Sequence, residues 1–165
     1  MNNTGLLSKV TDFMESAAKS FLTVAFGIMT LVTSVEVIRR YIFGLSFPWA
    51  EELVRFLLVW VTFIGGSVAF KRGELVYLDL FVDKLSPTFK KVAKGIVTAV
   101  TLVFLLITLW LSIDYVRSPS ITMQISPGMN VPMAYPYAAI PVGLSLMIVF
   151  CISNLLSASK PGKEG

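Results

Sequence analysis

The chain has 165 residues, is 55% hydrophobic, and carries a net charge of +4 and a mean hydropathy of +0.77. That composition excludes an ordinary soluble domain. With no histidine and a single cysteine, Cys151, it also excludes bis-His haem, His-based metal sites and an internal disulfide.

Apolar runs occupy about 17–38, 50–70, 92–113 and 134–156. Each has roughly the 20 residues that a helix needs to cross about 30 Å of hydrocarbon. None alternates regularly, so membrane β-strands are not indicated. The predicted fold is an all-α integral membrane protein: four transmembrane helices plus amphipathic interfacial helices, in one membrane domain over residues 1–165. Four helices enclose only a thin interior, too small for a solute pathway within one copy.

In chain order, residues 5–16 come first. Leu6, Leu7, Val10, Phe13 and Met14 share one face, and Lys9, Asp12 and Glu15 the other. Such spacing predicts a helix in the membrane interface; a helical extension of the first span is equally compatible. The first run is too long for a signal h-region and no small-residue cleavage site follows, so it is expected to stay as an anchor. The second span starts at Pro48, with Glu51 and Glu52 near the positive end of the helix dipole. Phe47 and Trp49 suit the headgroup level. Loop two, 71–91, holds another amphipathic stretch around 78–85, predicted to lie along the membrane surface. Loop three carries Pro119, Pro127, Gly128 and Pro132, which argue against regular helix. Pro141 is expected to bend the start of the fourth span.

Basic residues cluster on one side of this layout. Lys9, Lys19, Lys71, Arg72, Lys84, Lys90, Lys91, Lys94, Lys160 and Lys163 fall on the side of the termini and loop two. Arg39, Arg40 and Arg117 fall on the other. The positive-inside rule places both termini in the cytoplasm. Because the charges follow this topology, the net +4 gives no reason to invoke nucleic acid.

Charges near spans come with partners at helical spacing. Glu36 precedes Arg39 and Arg40, Glu51 and Glu52 precede Arg55, and Asp114 precedes Arg117. They are compatible with self-satisfied pairs, with interhelical or intersubunit pairs, or with an ion-coupling carboxylate. The last is disfavoured because each acid has a basic neighbour that holds it ionised. Small residues recur at four-residue spacing: Thr23 and Gly27, Thr62 and Gly66, Gly95 and Ala99, Ala139 and Gly143. Gly65-Gly66-Ser67 adds a flat patch on span two. Phe104, Leu105, Leu109 and Trp110 on span three, and Met147 and Phe150 on span four, are read as facing lipid or a helical partner. Cys151 reads as a buried, inert thiol. No catalytic, nucleotide-binding or metal-ligand pattern appears, so an enzyme is not expected.

Arg40-Tyr41-Ile42-Phe43-Gly44, Trp49-Ala50-Glu51-Glu52-Leu53-Val54-Arg55, Gly65-Gly66-Ser67-Val68-Ala69 and Arg72-Gly73 resemble the small, Q-type (DctQ-like) membrane subunit of tripartite ATP-independent periplasmic (TRAP) transporters. Val131-Pro132-Met133-Ala134-Tyr135 and Ile140-Pro141-Val142-Gly143 are similar to that family's fourth-span entrance. The family often carries a histidine after the second span; here Gly73-Glu74-Leu75-Val76 stands instead, so no role for it carries over.

The resemblance implies a scaffold in the bacterial inner membrane. A periplasmic binding protein would deliver an organic acid, such as sialic acid or a C4-dicarboxylate, to a large multi-span subunit driven by sodium. The small subunit would hold no cofactor, substrate or ion of its own. Glu36, Arg39, Arg40, Glu51, Glu52 and Arg55 would form structural or intersubunit ion pairs. Gly65, Gly66, Ser67, Pro141 and Gly143 would pack helices. Phe47, Trp49, Arg117, Gln124 and Asn130 would help dock the binding protein. The alternative is a small four-span proton-coupled exporter working as a homodimer, with Glu36 as its carboxylate.

Overall fold

A computed structural model describes residues 3–72 and 87–158. The amphipathic stretch expected around 78–85 lies outside the described residues. Among the described residues six helices follow in order: α1 Asn3–Phe43, α2 Pro48–Lys71, α3 Pro87–Arg117, α4 Pro119–Thr122, α5 Ala134–Tyr137 and α6 Ala139–Ala158. Among the described residues four segments are long and apolar enough to cross a membrane: Lys9–Phe43, Pro48–Lys71, Gly95–Arg117 and Ala134–Leu155.

The 41 residues of α1 form one uninterrupted helix. At 1.5 Å per residue it is about 60 Å long, roughly twice the hydrocarbon thickness. The amphipathic segment 5–16 is therefore the first turns of the spanning helix and not a separate element. Nothing within it breaks the helix, and its polar face has a partner on α2, described below. Gly44 ends α1 in the left-handed region, at φ 66°, where a side chain would be strained. Phe47 then adopts an extended conformation and Pro48 opens α2 at its first turn.

The fourth span is interrupted at Ala138, between α5 and α6. Pro141 lacks an N–H and its ring conflicts with the carbonyl four residues back, that of Tyr137. The interruption falls at that place, and the ladder resumes when the Val142 N–H donates to the Ala138 carbonyl at 3.2 Å.

The long helices lie in a row: α1 packs on α2, α2 on α6, and α6 on α3, with a lighter contact of α1 on α6. The buried residues follow this order. Ala139, Leu144, Phe150 and Cys151 of α6 and Val61, Ile64, Ser67 and Val68 of α2 are buried, whereas α1 and α3 expose most of their apolar side chains. Gly143 sets the closest approach. A Cβ there would fall 2.6 Å from Phe63 Cβ and 2.8 Å from the Phe63 carbonyl oxygen of α2. Gly66 meets Met147, and Gly65 meets Leu22 of α1. Gly27 and Gly95, by contrast, face open space.

Two residues read as facing lipid or a helical partner are packed inside the chain's own bundle. Leu105 is buried on α3 and Phe150 is wholly buried on α6, while Phe104 and Trp110 are exposed as expected. Phe150 turns inward because α6 is central, with neighbours on several sides. Its ring lies 5.4 Å below Lys71 Nζ.

Candidate functional site

Both connecting loops at one end of the row are fastened by glutamates. Glu36, near the end of α1, accepts hydrogen bonds through Oε1 from the Ser46 hydroxyl at 2.6 Å and the Phe47 N–H at 3.0 Å. Glu52, in the first turn of α2, accepts through Oε2 from the Gly128 and Met129 N–H groups at 2.9 and 2.7 Å. A tight turn exposes consecutive N–H groups that its own backbone cannot pair, and a carboxylate is the strongest available acceptor for them.

The turn held by Glu52 is ordered by its own sequence as well. The Ser126 N–H donates to the Val131 carbonyl at 2.9 Å, and the Asn130 N–H to the Ser126 carbonyl at 3.0 Å. Asn130 closes the turn at φ 57°, a region that asparagine tolerates better than most residues. Gly128 is required by contact: a Cβ there would lie 2.6 Å from Glu52 Oε2 and 2.7 Å from the Pro48 carbonyl oxygen. Ile125 and Pro132 form an antiparallel bridge, so loop three is a compact hairpin preceded by the single turn of α4.

The charge pairs differ from those read by spacing. Glu51 and Arg55 meet at 2.9 Å, both largely exposed. Glu52 turns away from Arg55 to the loop. Glu36 likewise binds Ser46 and Phe47 rather than Arg39 or Arg40. Arg39 instead stacks its guanidinium 3.4 Å above the Phe47 ring. Among the described residues no ion pair joins Asp114 to Arg117. The loop N–H groups take the carboxylates because the turns hold them fixed; the Met129 N–H has, besides Glu52, only a longer bond to Ser126 Oγ at 3.2 Å. Exposed arginines such as Arg40 and Arg55 reach water instead.

Of the side chains expected to dock a partner, Trp49, Arg117, Gln124 and Asn130 are exposed on this rim. Phe47 is half-buried between Arg39 and Trp49, with ring centroids of the two aromatics 5.5 Å apart. An open notch of about 270 Å³ lies between the start of α2 and the hairpin, lined by Pro48, Glu51, Glu52, Arg55, Pro127 and Gly128.

The opposite end carries a cluster that residue spacing did not assemble. Lys71 Nζ donates to the Thr11 carbonyl at 3.0 Å and to Asp12 and Glu15 carboxylates at 2.8 Å each. Arg72 reaches Glu15 at 3.3 Å, Lys19 pairs with Glu15, and Asn154 donates to the Lys71 carbonyl at 3.4 Å. The polar face of 5–16 was legible; its partner 60 residues away was not.

Among the described residues no group of three or more His, Cys, Asp or Glu is placed to hold a metal ion. Span hydroxyls at Thr23, Thr30, Thr62, Thr108 and Ser145 each donate to the carbonyl four residues back, so they line no polar path. A multi-pass membrane component with ordered loops at one rim is the class that this arrangement defines. The family model for the DctQ component of tripartite ATP-independent periplasmic transporters matches residues 29–160, and the chain belongs to that family. It is accordingly a small permease subunit of the TRAP type, a transporter component and not an enzyme.

The chain is 25% identical to the C4-dicarboxylate TRAP transporter small permease protein DctQ of Vibrio cholerae, over 85% of this chain and 70% of that one. It is 23% identical to a putative TRAP transporter small permease protein of Haemophilus influenzae, over 92% and 93%. It is also 27% identical to the isethionate TRAP transporter permease protein DctMQ of Oleidesulfovibrio alaskensis; there it covers 83% of this chain but spans only 22% of the relative's length.

Proposed function

We propose that this subunit is the fixed scaffold of a TRAP transporter in the bacterial inner membrane, with both termini cytoplasmic. It braces a large multi-span subunit, and its loop-bearing rim helps dock the periplasmic binding protein. The cargo is an organic acid such as sialic acid or a C4-dicarboxylate. Sodium and substrate sites belong to the large subunit, and no cofactor belongs to this chain.

The observation that carries this reading is the fastening of the rim. Glu52 holds the hairpin of loop three to α2, and Glu36 holds the first loop to α1. A carboxylate that must load and release an ion is poorly served by fixed donors such as the two backbone N–H groups on Glu52, or the Ser46 hydroxyl and Phe47 N–H on Glu36. A rim that presents a constant surface to a soluble partner needs such fixing. The row of helices supports the same reading, since a row encloses no channel. Relatives named for isethionate and for C4-dicarboxylates match at 27% and 25% identity, which supports placing substrate choice outside this subunit.

The test uses the complex of this chain with its large subunit in proteoliposomes, supplied with the binding protein. Arg117→Glu, or shortening the hairpin within 124–131, is expected to lower uptake several-fold while the membrane complex still purifies intact. Unchanged uptake, or loss of assembly before loss of uptake, overturns the docking role. Uptake or proton-coupled export by this chain alone would overturn the scaffold role and favour the exporter.

A further inference from the structure

A groove of about 230 Å³ runs between α1 and α2 beneath the rim. Its walls are Leu31, Val32 and Val35 of α1, and Phe47, Trp49 and Ala50 at the start of α2. The α1 residues recur at helical spacing on one face, with Glu36 and then Arg39 one turn further toward the rim. Glu36 is the only charged residue in the lining, and its Oε1 is already engaged by Ser46 and Phe47.

Arg39 stands at the mouth. Its guanidinium is held 3.4 Å above the ring of Phe47, itself a wall of the groove. Among the described residues no carboxylate lies within ion-pair distance of it. Stacking uses the face of the guanidinium and leaves its edge N–H donors free, in the fork that matches a phosphate.

We propose that this groove is a phospholipid site, with one acyl chain along the apolar walls and the phosphate on Arg39. The polarity of the groove fits that occupant. Its cationic end is at the rim, and its apolar end lies about 12 Å further along the helix, at Leu31, by the rise of eight residues. A phospholipid of the leaflet on that side has the same direction. Among the described residues Glu36 Oε2 is buried without a partner and can take a water, but the apolar walls along the rest of the groove offer water too few partners to fill it. An empty groove forfeits dispersion contacts along its whole length. A free phosphate would meet the Glu36 carboxylate near the mouth with no apolar burial to offset the repulsion. The chain and the headgroup are therefore both needed.

Native mass spectrometry of the full chain in a neutral maltoside detergent tests this. The probes are palmitoyl-oleoyl phosphatidylglycerol, the matching phosphatidylethanolamine, and the matching diacylglycerol, which lacks phosphate. The wild type is expected to retain one phospholipid. Arg39→Gln is expected to lower phospholipid occupancy roughly tenfold, the loss of one charge-assisted phosphate contact, while leaving diacylglycerol uptake unchanged. Val35→Trp, which fills the groove, is expected to lower both, and Val103→Trp on the exposed face of α3 neither. Circular dichroism of each variant separates lost binding from lost helix. No retained lipid on the wild type, or equal retention by Arg39→Gln, overturns the proposal. So does a Val35→Cys variant that cross-links to the large subunit in a complex carrying no lipid there.

Discussion

Glu51 and Glu52 are neighbours in sequence with different work. Glu51 is four residues before Arg55, the favourable order, and the two meet on the surface. Such exposed pairs contribute little to stability. Glu52 points about 100° further round the helix, toward loop three, where two N–H groups need an acceptor. Spacing along α2 shows that Arg55 is within reach of both acids; it cannot show that a turn 76 residues away needs one of them. Glu52→Ala is accordingly expected to speed proteolytic cleavage within 124–131, while Glu51→Ala leaves the cleavage rate unchanged. Equal rates in the two variants would show that the hairpin is held by its own bonds alone. Gly128→Ala tests the same contact from the other side. The added Cβ would lie 2.6 Å from the Glu52 carboxylate and 2.7 Å from backbone, so the hairpin must shift. The cost expected for such overpacking is about 1–3 kcal/mol, read as a lower unfolding midpoint in detergent.

At the scale of elements, the small-residue pairs separate into two kinds. Four-residue spacing marked Thr23 with Gly27, Gly95 with Ala99, Thr62 with Gly66, and Ala139 with Gly143 alike. Of these residues Gly66 and Gly143 are the ones shown where α2 and α6 meet, and Gly143 touches backbone across the contact. Gly143→Ala should force the helices apart and cost about 1–3 kcal/mol. Gly27→Ala and Gly95→Ala meet nothing within 4 Å, so they should be neutral or stabilise by up to about 1 kcal/mol through helix propensity. Reversible unfolding of the three variants in one detergent decides this; similar losses in all would mean that Gly27 and Gly95 pack against something outside the chain. The Gly66 site is more forgiving, since its neighbour is the flexible end of Met147. The number of spans, the start of α2 at Pro48 and a distortion near Pro141 were legible because apolar length and proline chemistry act locally. Which helix is central was not, because Phe104 and Leu105 look alike in sequence and differ only in having α6 beside them.

For the whole molecule, the row of helices depends on what ties its two ends. The rim is tied by carboxylates on backbone. The opposite end is tied chiefly by Lys71, whose side chain is only 13% exposed, with Arg72 adding a longer contact to Glu15. Its ammonium takes a carbonyl and two carboxylates from the first turns of α1, and its own carbonyl takes Asn154 of α6. One residue thus links the three helices that form the core, at the end where α1 outruns the length needed to span a bilayer. Lys71→Met keeps most of the apolar stem but removes every donor. Glu15 then keeps Lys19 and Arg72, while the Thr11 carbonyl and Asp12 lose their shared partner. The Thr11 carbonyl gives up the second hydrogen bond that Lys71 donates but keeps its bond within the helix, and Asp12 loses its ion pair, so the loss favours local opening over global unfolding. The expected outcome is faster amide exchange across residues 9–15 with little change at the rim hairpin, and a smaller change for Lys71→Arg, which preserves a donor of the same charge. Faster exchange spread evenly over both ends would mean that the row opens as a unit. In that event the apolar contacts of α2 with α6, and not the Lys71 tie, set the stability of α1.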